Sequence, residues 1–363
     1  MKKTVFYDAH IASGGRMVPF AGYEMPVEFS GVKNEHILVR KKVGIFDVSH
    51  MGEIWVTGDS AGEFIQRMTT NDLYSLRSGK VQYSCFPNGK GGIVDDLLIY
   101  KFHDTRYLLV VNASNTEKDW LWLNDNNTEK AVLKNESENT SQLAVQGPLA
   151  IMVLQKVTKL ELESLPYFTF KIGNIGGVND VLISNTGYTG AGGYELYFKN
   201  DAGPEIYETI MKAGAEFGIA PAGLASRDTL RLEMGFCLYG NGIDDTTSPL
   251  EAGLSWITKF VKGNEFIDRN YLEMQKKEGL KRKLVGFELT ERGIARKDYP
   301  IQNKEGEQIG IVTSGTMSPI SLKSIGMGYV AIPYNNMGAA IYIVIRNKRI
   351  PARIVRPPFY KPE

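Results

Sequence analysis

Few folds accommodate the run from Gly91 to Asn112. Gly91-Gly92 precede Ile93-Val94-Asp95-Asp96-Leu97-Leu98-Ile99-Tyr100, and after Lys101-Phe102 the polar tetrad His103-Asp104-Thr105-Arg106 leads into Tyr107-Leu108-Leu109-Val110-Val111-Asn112. A glycine turn followed by two apolar, β-branched runs predicts a β-hairpin from the middle of a sheet. The adjacent carboxylates conflict with that setting, because strand side chains alternate faces and at least one aspartate must point to the packed side. Aspartates beside a glycine turn often accept backbone N–H groups, and local rules also break where a protein keeps a function. Asp96, Leu98 and Tyr100 share one face of the first strand. An odd-membered loop would set Tyr100 opposite Val110 and Leu98 opposite Asn112. A carboxylate, a phenol and an amide would then line a half-apolar surface suited to a flat heteroaromatic ligand with a hydrogen-bonding edge.

The chain has 363 residues, more than one hydrophobic core usually fills, so two or three domains are expected. Its 42 basic and 41 acidic residues leave a net charge of +1, which argues against wholesale attraction to nucleic acid or an anionic membrane. No apolar run reaches the length of a signal-peptide core or a bilayer span, so a soluble, unprocessed, cytoplasmic protein is expected. Cys85 and Cys237 lie in apolar runs without a Cys-x-x-Cys pairing and read as buried thiols of a reducing compartment.

In chain order, residues 11–50 read as loops and short strands. A helix after Asp59-Ser60 carries Phe64, Ile65 and Met68 on its apolar side, and Ser114-Asn115-Thr116-Glu117 has capping-box spacing ahead of a helix with Trp120 and Leu121 among its buried positions. Leu143 to Leu154 weakly echoes the strand-to-helix passage around Gly58, hinting at two related α+β halves with a boundary near 140–150. A strand Tyr194–Phe198, a helix from about Pro204 to Phe217 and another opened by Pro221, with Arg227 and Arg231 four residues apart on one side, complete this part. After the charged run that closes near Lys283, short strands Leu284–Leu289, Gln308–Thr313, Gly328–Ala331 and Ala340–Ile345 suggest a small β-barrel over 281–363, leaving 1–280 as the other domain region.

Several segments, in this order and spacing, resemble one family. They include Phe20-Ala21-Gly22-Tyr23-Glu24-Met25-Pro26, Phe46-Asp47-Val48-Ser49-His50-Met51-Gly52-Glu53, Gly92-Ile93-Val94-Asp95-Asp96, Gln146-Gly147-Pro148, Gly187-Tyr188-Thr189-Gly190, Arg227-Asp228 and Glu251-Ala252-Gly253-Leu254-Ser255-Trp256. The resemblance is to the aminomethyltransferases, or T-proteins, of the glycine cleavage system. It implies an α+β fold of three domains in a ring, two of mixed antiparallel sheet and helix and one C-terminal barrel, around a central tetrahydrofolate site. It implies transfer of a one-carbon unit from the aminomethyl-lipoyl arm of a partner H-protein to tetrahydrofolate, giving methylenetetrahydrofolate, ammonia and dihydrolipoyl H-protein, with no metal. By the same resemblance Asp96 is the catalytic carboxylate and Asp95 structural. Glu195 would accept the pterin N–H edge, Met51, Tyr83, Tyr100, Val110, Asn112, Tyr188 and Trp256 would line the ring pocket, and Arg227 and Tyr360 would hold polar or anionic portions of the folate.

Three places depart from the family pattern. Ala191-Gly192 stand where an acidic pair is common, which predicts a less charged, more mobile loop; Gly242 stands where an acid is usual; Phe168 stands where a tyrosine is expected. Two other readings remain: a related folate-dependent demethylase of the sarcosine or dimethylglycine oxidase type, for which a fused flavin domain is missing, and a non-enzymatic folate-binding protein, whose Lys-Gly-Cys-Tyr-x-Gly-Gln-Glu motif is absent around Cys237-Leu238-Tyr239-Gly240. The neighbours Asp47, Ser49 and His50 supply the residue types of a hydrolytic triad but not its usual separation in sequence. His50 with Glu53 offers too few ligands for a metal.

Overall fold

The computed structural model describes residues 1–361 and is α+β throughout. The chain divides into two compact units. The first comprises Met1–Met68, Leu73–Ser84 and Leu97–Asp228; the second comprises Thr69–Asp72, Cys85–Asp96 and the chain from Thr229 on.

A six-stranded sheet of the first unit runs in the order Phe170–Ile175, Val178–Ser184, Gly193–Lys199, Thr140–Gln146, Gly44–Asp47 and Ala220–Pro221. Its pairs are antiparallel except the last, in which Pro221 lies beside Ile45. Alternation puts Ile45, Leu143, Val145, Ile183, Leu196 and Phe198 on one face, where they pack with Val153 and Leu154 of the helix Ala150–Gln155 and with Ile206 and Ile210 of the helix Gly203–Gly214. Each such side chain, fully buried, contributes about 1.5–3 kcal/mol. The opposite face carries Gln142, Ser184, Glu195 and Tyr197, all buried and mostly polar. Pro221 does not open a helix as expected: its fixed φ serves the short strand, and the helix starts at Leu224 and runs to Met234.

The second sheet has the order Lys80–Pro87, Ile93–His103, Arg106–Val111, Gly52–Thr57 and Val132–Asn135. Its central hairpin pairs Tyr100 with Leu108 and Leu98 with Val110, one pleat away from the expected Tyr100–Val110 and Leu98–Asn112. The turn contains only Asp104 and Thr105, held by the Lys101–Asp104 ion pair at 2.8 Å and by Thr105 Oγ1 at 3.0 Å from His103 Nδ1. A two-residue turn alone would put Leu98 and Tyr100 on the face opposite Leu108 and Val110. A register shift between Lys101 and His103 restores the parity, so a β-bulge does what the expected odd loop would have done. Tyr100, Leu108 and Val110 therefore still pack together, with Met51, Trp55 and Leu98 against them.

Phe64, Ile65 and Met68 are buried on the helix Ala61–Met68, as their spacing requires. The helix Thr116–Asp125 behaves differently. Its buried positions are Asp119 and Leu123, whereas Leu121 is 51% exposed and Trp120 only half-buried, and no side chain caps its N-terminus. A preceding 3₁₀ turn, Ala113–Asn115, supplies the entry instead and rotates the inward stripe away from the expected pair.

In the second unit six strands close a barrel: Arg282–Leu289, Ser324–Ala331, Gln308–Met317, Pro300–Gln302, Ala340–Ile345 and Lys348–Val355. Phe287, Ile301, Val312, Val330, Ile343 and Ile354 fill it. The two strands not foreseen contain Pro300 and Pro351, residues that lower the strand signal of an isolated segment.

Candidate active site

Glu195 sits on the strand Gly193–Lys199 opposite Ser184 on one side and Ala144 on the other. It is 4% exposed, and Thr186 Oγ1 donates to its Oε2 at 2.6 Å. Gln142 Nε2 donates to Tyr197 Oη at 3.0 Å and lies 3.4 Å from Glu195 Oε1. Tyr197 Oη is 2.8 Å from Tyr100 Oη, which lies 3.3 Å from Thr186 Oγ1; Ser184 Oγ is 2.9 Å from that same hydroxyl. Burial raises the Glu195 carboxyl above the ordinary glutamate range, opposed by the Arg227 charge and by the hydroxyls of Thr186 and Tyr197.

The Arg227 guanidinium lies over the Tyr188 ring, 4.9 Å from its centroid. Its pKa is lowered by burial, with Glu195 opposing. Arg227 Nη1, Gln142 Oε1 and His50 Nδ1 are shielded from solvent and have no protein partner. A buried polar atom left unpaired costs about 1–3 kcal/mol, and the spare Arg227 donor, whose charge acts on the Glu195 carboxylate, marks a place that a polar ligand completes. An acceptor at Glu195, a spare donor on Arg227 and an aromatic face at Tyr188 fit the pteridine of a folate: a planar ring with adjacent N–H donors and a carbonyl.

Tyr188 belongs to the loop with the Ala191-Gly192 departure, and that loop is anchored. Thr189 is fully buried, its hydroxyl donates to Gln146 Oε1 at 2.8 Å and its carbonyl accepts from Arg40 Nη1 at 2.6 Å. The expected mobility is offset by these bonds, which the neighbours Gln146 and Arg40 supply from other elements.

The first unit thus brings together Glu195, Tyr100, Tyr188 and Arg227, with Val110 and Met51 in the apolar cluster around Tyr100. Tyr83 lies half-buried on the edge strand Lys80–Pro87 of the second sheet and Asn112 half-buried just past the strand Arg106–Val111; the Asn112 carbonyl accepts from the Asn115 N–H. Asp96, Trp256 and Tyr360 belong to the second unit. Asp95 is fully buried whereas Asp96 is half-open, as alternation along Ile93–His103 demands. The Asp96 charge adds to burial in pushing the thiols of Cys85 and Cys237 up to about 12, so neither is a nucleophile near neutral pH. Trp256 is 58% exposed on the turn Ser255–Ile257, and the segment holding Tyr360 is tied down by the Phe359 N–H to the Glu233 carbonyl, 2.7 Å. Phe168 holds φ at +60°, and its side chain packs against the Tyr100 cluster as an apolar residue.

Gln142, Ser184, Thr186 and Tyr197 were not singled out by sequence reasoning. The alternation that places Glu195 and Tyr197 on one strand face was available; the opposite positions Gln142 and Ser184 needed the register.

Residues 6–262 match the family model described as the GCVT N-terminal domain, and residues 282–361 match the glycine cleavage T-protein C-terminal barrel domain. The chain belongs to the glycine cleavage T-protein family. Within it, the chain is 58% identical to the aminomethyltransferase of Bacteroides fragilis over 361 residues, 99% of this chain and 100% of that protein. It is 49% identical to the aminomethyltransferase of Halothermothrix orenii, with the same coverage. The crystal structure of the glycine cleavage system aminomethyltransferase T from Bartonella henselae superposes with a TM-score of 0.92 at 30% identity, covering 99% of this chain and 98% of that one. Among the described residues no group of three or more His, Cys, Asp or Glu side chains could hold a metal, and no helix is long and apolar enough to cross a membrane.

Proposed function

We propose that this member of the T-protein family, an aminomethyltransferase of the glycine cleavage system, uses Asp96 as its catalytic carboxylate and Glu195 with Arg227 to hold tetrahydrofolate. Tetrahydrofolate supplies the nucleophilic nitrogen, and the lipoyl arm of an H-protein supplies the aminomethyl carbon; the products are methylenetetrahydrofolate, ammonia and the dihydrolipoyl carrier. The single observation that carries the folate reading is the Glu195 carboxylate, 4% exposed, with donors on one side and the unpartnered Arg227 Nη1 nearby in the same unit.

Glu195 accepts two parallel N–H bonds from the pterin edge, a geometry only a carboxylate provides. Tyr188, fixed by its anchored loop and stacked on Arg227, offers the ring a flat face. Met51, Tyr83, Val110 and Asn112 complete the lining. The burial that raises Glu195 also excludes water, so each bond counts for more than in bulk solvent.

Asp96 holds a fixed negative charge where positive charge develops on the transferred carbon, and its carboxylate oxygen accepts the proton that the attacking amine gives up. The lone carboxylate suffices because the acceptor substrate brings its own nucleophile. Cys85 and Cys237, held protonated, do not compete for the electrophilic carbon. Activity in the cytoplasm follows from the same reading.

The test is ammonia release from aminomethylated H-protein on addition of tetrahydrofolate. Stoichiometric release supports the proposal. Inactivity with this donor combined with turnover of an N-methylated amino acid would replace it by the demethylase reading.

A further inference from the structure

The buried face of the six-stranded sheet carries a connected set of hydrogen bonds around Glu195, in which one amide fixes which way a neighbouring hydroxyl points. Gln142 is 1% exposed on the strand Thr140–Gln146, directly opposite Tyr197. Its backbone is clamped on both sides by Ser49, whose Oγ accepts from the Gln142 N–H at 3.0 Å and donates to its carbonyl at 3.2 Å. An amide nitrogen only donates. Since Gln142 Nε2 gives one hydrogen to Tyr197 Oη, the Tyr197 hydrogen turns away from Gln142, toward the Glu195 carboxylate and Tyr100 Oη, the latter 2.8 Å away. Tyr100 Oη lies 3.3 Å from Thr186 Oγ1, and Thr186 donates to Glu195 Oε2 at 2.6 Å. The second Gln142 hydrogen points at Glu195 Oε1, 3.4 Å away. Thr186 and Gln142 thus both present donors to one carboxylate, and the reversed amide would set two acceptors against each other.

We propose that Gln142 is a positioning residue for substrate binding: its carboxamide orients the Tyr197 hydroxyl toward Glu195, which keeps that carboxylate ionised and aimed at the N–H edge of the ligand. The inference rests on the reading of Glu195 as the pterin acceptor. The groups that face Glu195 are the Arg227 cation from its helix, Tyr197 from its own strand, Tyr100 from the neighbouring sheet and Tyr167 from the loop before Phe168. Burial pulls Glu195 toward its neutral form, and with Gln142 removed only Arg227, Thr186 and an undirected Tyr197 hydroxyl oppose it.

The experiment is a calorimetric titration with tetrahydrofolate under anaerobic conditions between pH 5 and 9, comparing wild type with Gln142→Met, an apolar substitution of similar volume. Gln142→Met should move the acidic limb of the affinity profile up by about one pH unit, which weakens binding about tenfold on the acidic side of that limb and much less on the plateau above it. In a Glu195→Gln background the same substitution should change affinity less than about twofold, because it acts through that carboxylate. Should Gln142→Met fail to fold, Tyr197→Phe breaks the same set of bonds and carries the same expected shift. A normal wild-type titration with an unmoved profile in these variants overturns this inference alone. A wild-type protein that binds no tetrahydrofolate overturns the reading of the site, and the inference with it.

Discussion

Thr186 Oγ1 donates to Glu195 Oε2 across 2.6 Å, a short charge-assisted bond inside a face that water does not reach. A carboxylate so placed is already oriented before any ligand arrives, so the energy of its bonds to a ligand is not spent on ordering it. Bonds to a charged group are worth about 1.5–3 kcal/mol each. Glu195→Ala, which removes two such bonds, should therefore raise the tetrahydrofolate dissociation constant by roughly 100-fold or more, read by isothermal titration. Unchanged affinity would remove Glu195 from the site.

Asp96→Asn keeps the shape of the side chain and deletes its charge. Folate binding should stay within about threefold while ammonia release falls by roughly 100-fold or more, the scale of a lost general base. Single-turnover measurements with saturating folate separate the two quantities, and wild-type turnover in this variant would dismiss the assignment.

His50 makes stability depend on pH. Burial and the nearby Arg227 charge lower it to about 4, with Asp47 opposing, against an ordinary value of 6.5. Between these values the unfolded chain binds the proton and the folded one does not, so stability falls as pH drops from about 6.5 toward 4. The linked loss is about 3 kcal/mol over that window. Urea denaturation at pH 4.5 and 7 measures it, and His50→Phe should flatten the dependence.

Gly92 feeds the strand that carries Asp96. A Cβ at this position would lie 1.9 Å from the Asp245 carbonyl oxygen, a backbone atom that cannot swing aside. Gly92→Ala should cost about 1–3 kcal/mol through forced displacement, seen as a lower thermal midpoint and as reduced transfer. Gly89, with open space around its Cβ direction but φ at +80°, should tolerate alanine only at the cost of backbone strain, about 1 kcal/mol.

How far the chain could be read without coordinates differs from element to element. The contrast between Asp95 and Asp96 was legible because alternation is local, and their burial follows it. The hairpin register was not, since a bulge between Lys101 and His103 depends on a turn held by an ion pair rather than on hydrophobic pattern. Trp120 and Leu121 misled for a related reason. A 3₁₀ turn of three residues shifted the phase of the helix, and phase, unlike period, is set by what the helix packs against.

Residue types and their spacing were enough to mark the acidic pair, four of the six barrel strands and the family motifs, because each is encoded within a few neighbouring positions. The set of bonds linking Gln142, Tyr197, Tyr100, Thr186 and Glu195 joins separate stretches of the chain, and only tertiary structure decides it. Hydrogen bonds between side chains demand agreement to fractions of an ångström, which strand pairing and packing provide and a one-dimensional pattern does not contain.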